Sequence, residues 1–145
     1  MKLSDNFTLE EMTRSYTARR LSINNEPSCQ EVRRLQALCR NILQPIRDAW
    51  GAPIIVGSGY RCIKLNRLVG GVRNSDHLYG CAADIHTVSD TITDNRKLYE
   101  LIYSLYLKSR LLDLKQCINE YDYNWIHISW QDGRSEKRGQ FISMP

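Results

Sequence analysis

The sequence predicts an α+β protein folded as a single domain over residues 1–145, with a small antiparallel sheet flanked by helices. Three observations predict it. Helical periodicity follows capping signals in the first fifty residues and recurs after Asp94. A short apolar run, "APIIVGSGYR", is closed by glycines. Near the C-terminus, "WIHISW" alternates behind "KQCINEY" across a short polar turn.

The elements follow in chain order. In "FTLEEM", Thr8 and Glu11 have the spacing of a capping box, with Phe7 as its apolar staple, which predicts a short helix. In "PSCQEVRRLQALCRNILQPIRDAWG", Ser28 and Glu31 form a second such box. Val32, Leu35, Leu38, Cys39, Ile42, Leu43 and Ile46 recur on one helical face, Pro45 kinks the helix without ending it, and Gly51 ends it. "APIIVGSGYR" reads as a buried strand opening into a loop that displays Tyr60 and Arg61. "IKLNRLVGG" reads as a brief helix ended by Gly70, and "DNRKLYELIYSLYLKSR" as a helix capped by Asp94. The two C-terminal runs form a hairpin turning around Asp122 to Asn124. Its second strand puts Trp125, His127 and Ser129 on one face and Ile126, Ile128 and Trp130 on the other.

Length and composition narrow the function. A chain of 145 residues buries a core without disulfides, and its hydrophobic (42%) and charged (25%) fractions are ordinary for globular proteins. No apolar run approaches the roughly 18–20 residues of a membrane span, so no membrane partner is expected. "MKLSDNFTLEEMTR" lacks the apolar stretch of a secretory signal, which predicts cytoplasmic synthesis and any export by another route. Five cysteines without a CxxC pair read as reduced thiols. The net charge of +4 is spread among acids rather than gathered into a stripe, so nucleic acid is not an expected partner. A monomer is expected.

The stretch "NSDHLYGCAADIH" carries two of the three histidines. Zinc accepts imidazole nitrogen and carboxylate oxygen, and a catalytic site takes three protein ligands and leaves a fourth position for water. His77, Asp84 and His127 make such a set, with Gly80 letting the loop fold back. Spacing alone also admits His86, which shares a strand face with Asp84, and Cys81, since thiolate binds zinc well.

"SGYR", "LNRLVGGVRNSDHLYGCAADI" and "WIHIS" together resemble the zinc peptidoglycan peptidases of the M15 group, a D-Ala-D-Ala carboxypeptidase-like branch that shares its fold with hedgehog domains. The pattern S-x-H-x-x-G-x-A-x-D followed by W-x-H is met by Ser75, His77, Gly80, Ala82, Asp84, Trp125 and His127. "FTLEEMTRS", "INNEPS", "PIRDAWGAPIIV" and "RGQFI" extend the likeness over nearly the whole chain.

The resemblance implies one Zn2+ per chain held by His77, Asp84 and His127, a structural role for His86 and a packed Cys81. It matches Arg61 to a substrate-binding arginine, whose planar fork suits a carboxylate or a scissile carbonyl, and Ser75 to a serine that helps hold substrate, with Tyr60 beside them. It also implies a carboxylate base for the attacking water. The position three residues before His127, acidic in many members, is Asn124, which cannot accept a proton; Glu120 is the expected base and Asp122 the alternative. The implied activity is hydrolysis of amide bonds in peptidoglycan stem peptides, of carboxypeptidase or endopeptidase type, in the setting of a phage or prophage lysin. The alternative is a non-catalytic zinc-containing wall-binding module of the same fold.

Overall fold

The computed structural model describes residues 1–145. It opens with a small antiparallel ribbon, β1 (Lys2–Ser4) and β2 (Phe7–Thr8), leading into α1 (Leu9–Thr13). The Thr8–Glu11 capping box is complete, each side chain bonding the other's backbone N–H. The ribbon was not legible in the sequence, and neither was α2 (Tyr16–Arg20), capped by Ser15.

The long helix runs as α3 (Cys29–Leu38), a π-helical turn (Cys39–Leu43) and α4 (Gln44–Trp50), ending at Gly51 with φ of 76°. Pro45 explains the middle section. A proline has no N–H to give and its ring crowds the carbonyl four residues back, and widening the preceding turn relieves both. The Gln44 N–H accordingly reaches back to the Cys39 carbonyl. Ser28 is the N-cap, but the predicted box does not form: its hydroxyl bonds the Glu31 carboxylate instead of accepting a backbone N–H.

The main sheet has five strands in the order β3-β4-β6-β5-β7. They are β3 (Ile54–Ser58), β4 (Ala82–Thr87), β5 (Leu114–Glu120), β6 (Trp125–Trp130) and β7 (Gln140–Met144). The sheet is larger than the predicted one and mixed, because β7 lies parallel to β5. β3 is an edge strand, buried at Ile54 and Val56 but open at Gly57, rather than fully buried. Between β3 and β4 come α5 (Ile63–Leu68), with Gly70 beyond its end at φ of 77°, and a 3-10 turn (Asp76–Tyr79). α6 (Ile92–Leu107) starts before Asp94. Thr91 is its cap, accepting from the Asp94 N–H at 3.1 Å. No helix is long and apolar enough to cross a membrane.

Alternation divides the sheet into two faces. Ala83 and Ile85 of β4 pair with Ile128 and Ile126 of β6, and these side chains join Leu35, Leu38, Ile42, Ile46, Leu98 and Ile102 in one core beneath the helices. The opposite face carries Asp84, His86, Trp125, His127 and Glu120. The β5–β6 turn spans the four residues Tyr121 to Asn124, because Glu120 pairs directly with Trp125. Tyr121, Asp122 and Tyr123 all adopt left-handed φ values, of 48°, 54° and 65°.

Candidate metal centre

Two glycines set the approach to the centre. Gly59 follows β3 so closely against α1 that a Cβ there would meet the Met12 carbonyl oxygen at 2.2 Å. Its own carbonyl accepts from Nδ1 of His77 at 2.6 Å. Gly80, with φ of 75°, turns the chain out of the 3-10 turn into β4, where a Cβ would meet the Glu31 carbonyl at 2.6 Å. His77 is therefore held from behind, with its Nε2 pointing forward, and Asp84 follows on the sheet. The register then pairs Asp84 with His127.

His77 Nε2 lies 3.2 Å and His127 Nδ1 3.0 Å from the same oxygen, Oδ1 of Asp84. The three donor atoms fall within 4.8 Å of one another. Since His77 Nδ1–H is spent on the Gly59 carbonyl, the neutral ring presents a lone pair at Nε2 to a carboxylate oxygen. Two acceptors at that distance need a positive charge between or upon them. Burial alone would raise the Asp84 carboxyl, but the charge and hydrogen bonds of His77 and His127 more than offset it and hold it well below the usual carboxylate range.

A metal ion meets the same need. With bonds of about 2.0–2.1 Å, tetrahedral ligands stand about 3.3 Å apart, close to the two separations found here. The Gly59 carbonyl supplies the outer hydrogen bond that orients a ligating imidazole. These residues fit a divalent cation that accepts two nitrogens and one oxygen.

The rival donors lie elsewhere. His86 Nδ1 is taken by the Thr87 carbonyl at 2.8 Å, with Asp90 at 3.5 Å. Cys81 is buried, and its thiol is pushed up to about 12 chiefly by burial, with Asp132 adding to it.

Around the three donors opens a cavity of about 430 Å³ whose walls include Arg61, Ser75, Glu120 and Trp125. Arg61 is its one cationic wall. Burial lowers the guanidinium, while the Asp84 and Glu120 carboxylates oppose that shift. Nε of Arg61 is buried with no partner, and Nη2 reaches Ser75 Oγ only at 3.5 Å. Ser75 Oγ also accepts from the His77 N–H at 3.2 Å, so Ser75 both caps the 3-10 turn and touches Arg61.

Tyr60 is not brought into this cavity. It belongs to the core and lines a separate recess with Arg14 and Tyr16. Asp122 is exposed on the turn and lines none of this cavity, whereas Glu120 does.

Sequence reasoning missed two supports. Asn95, fully buried, accepts from the Thr87 N–H at 2.9 Å and donates to Asp90 and to the Tyr123 carbonyl, tying β4 to the β5–β6 turn. Asp76, next to His77, is buried against Lys115 and Arg134. A polar residue inside an amphipathic helix was the only signal for Asn95, and Asp76 had none, since its partners lie 39 and 58 residues away.

Known proteins share parts of this sequence. A 44-residue stretch, 30% of this chain, is 50% identical to a zinc D-Ala-D-Ala carboxypeptidase of Streptomyces albus G, of which it covers 17%. The chain thus matches only a small part of that relative's length. The model of the family described as peptidase M15 matches residues 5–129, and by that match over most of its length the chain belongs to the peptidase M15 family.

Proposed function

We propose that this chain is a zinc-dependent peptidoglycan peptidase that hydrolyses amide bonds in cell-wall stem peptides, with one zinc held by His77, Asp84 and His127. The observation that carries the reading is the convergence of those donors in one cavity with Glu120 and Arg61. The name of the Streptomyces albus G relative and the peptidase M15 family support it.

Two neutral imidazoles and one carboxylate would leave a net positive charge on a zinc ion, which supplies Lewis-acid polarisation and acidifies a water. Glu120, the ionisable group that β5 projects into the cavity, takes the proton of the attacking water at a carboxylate oxygen. As the C–N bond breaks, the same carboxyl returns that proton to the departing amine, so the products are one carboxylic acid and one amine. Arg61, with Nε unpartnered, binds a substrate carboxylate or the scissile carbonyl, and Ser75 steadies it.

A wall-binding module without catalysis would need neither a base nor a free guanidinium beside the donors, and both are present. The test is digestion of purified sacculi, with the new termini identified by mass spectrometry. New amino termini should appear with the zinc-loaded protein and vanish after chelation. A zinc-loaded chain that releases none would overturn the reading.

A further inference from the structure

We infer that a second cavity, across Trp125 from the one that holds Glu120, is a subsite for an ammonium-bearing side chain, so that a peptide cut at this centre is held on both sides of the scissile bond. The inference rests on the peptidase reading above and names the substrate that the site would select.

The register that pairs Ile85 with Ile126 and Glu120 with Trp125 sets Trp125 between His86 and Glu120 on the polar face. The indole and Asp84 line both cavities. The second, of about 320 Å³, is completed by Ser58, His86, Asp90 and Asn124. A donor cluster at the junction of two cavities has room for substrate on either side of the bond it attacks.

The two sides differ in charge. The first cavity contains Arg61. In a chain with 20 lysines and arginines, none lines the second, and Asp90 is its carboxylate beyond Asp84. Asp90 is fixed in place. Its Oδ1 accepts from Nδ2 of the fully buried Asn95 at 3.0 Å and lies 3.5 Å from His86 Nδ1, while Oδ2 has no partner. Its φ of 52° is a conformation that Asp and Asn tolerate. A held carboxylate with one free oxygen, in a cavity that an indole also lines, suits an ammonium group. The matching ligand carries a carboxylate on one side of the scissile amide and a free amine on the other, as a stem peptide with a diamino acid does.

The test uses two stem-peptide fragments that differ only in whether the side-chain amine of the diamino acid is free or acetylated. Their cleavage by the zinc-loaded protein and their binding to the metal-stripped protein, by calorimetry, are compared for the wild type and Asp90→Asn. Asparagine keeps the acceptor for Asn95 and the left-handed backbone. The wild type should prefer the free amine by roughly fivefold in both measurements, and Asp90→Asn should bring that ratio close to one. Absence of a preference in the wild type, or one that survives in Asp90→Asn, overturns the subsite. If fragments are cut without regard to the amine, the peptidase reading stands and the subsite falls. If nothing is cut but the metal-stripped protein shows the Asp90-dependent preference, the subsite stands and the peptidase reading falls.

Discussion

Two aspartates eight residues apart, Asp76 and Asp84, flank the same turn and meet opposite surroundings. Asp76 is saturated: Lys115 Nζ lies 2.8 and 3.0 Å from its two oxygens, and Arg134 Nη2 lies 2.9 Å from Oδ1. Arg134 in turn bonds Asp132 at 2.7 Å and lies 3.7 Å over the Tyr79 ring, with Arg34 closing on Asp132 at 3.4 Å. Every charge there has a counter-charge. Around Asp84 the groups are under-satisfied: two imidazoles face one oxygen, and Arg61 Nε has no partner. Buried polar groups left without partners cost stability, and beside three converging donors the unpartnered Arg61 Nε offers a place for something that binds. The first cluster is built as scaffold, and the second is the one we propose as site.

The largest expected effect comes from removing a donor. His127→Ala should lose the bound zinc, measured by metal analysis, and with it all detectable turnover, while His86→Ala keeps the metal. Full zinc in His127→Ala together with loss in His86→Ala would make His86 the third donor.

Next comes the base. Glu120→Gln keeps the shape but not the basic oxygens and should lower turnover by at least about 10²-fold with zinc retained. Asp122→Asn, on an exposed turn outside the cavity, should change little. The reverse ranking would move the base to Asp122.

The scaffold side responds in stability. Asp76→Asn leaves the partly buried Lys115 without its counter-charge and Arg134 with Asp132 alone, at a cost of about 2 kcal/mol and a fall of roughly 4–8 °C in Tm. The folded variant should still bind zinc. A wild-type Tm would show that this cluster does not carry the turn.

The difference between the two regions also explains what the sequence disclosed. His77, Asp84 and His127 were legible because their types and spacing carry chemistry that resembles a known pattern, and the faces of β6 followed from strict alternation. The saturated cluster was not legible, because its members are ordinary surface residue types brought together over 39 and 58 residues. Local competition hid smaller features. Thr91 took the cap assigned to Asp94, and Ser28 bonded Glu31's side chain instead of a backbone N–H. β7 was not predicted; it runs parallel to β5 instead of forming a hairpin with β6. Tyr60, adjacent to Arg61, packs in the core and lines a different recess, which nothing in the local sequence distinguishes.

The smallest effect probes the unsatisfied guanidinium itself. Arg61 is half-buried, and burial lowers it against the opposing pull of Asp84 and Glu120, so it carries a charge that the protein matches only in part. If that charge awaits a substrate carboxylate, a lysine supplies the same sign but a single point of contact in place of the planar fork. Arg61→Lys should therefore lower kcat/KM on stem-peptide fragments by roughly tenfold, with zinc content and Tm close to wild type. The fork geometry predicts one more distinction. Replacing the fragment's carboxylate by an amide should weaken cleavage by the wild type far more than by Arg61→Lys, since only the wild type loses a bidentate pair. Equal losses in the two proteins would mean that Arg61 touches the scissile carbonyl rather than a carboxylate. Unchanged kinetics would return Arg61 to the scaffold, beside Arg134.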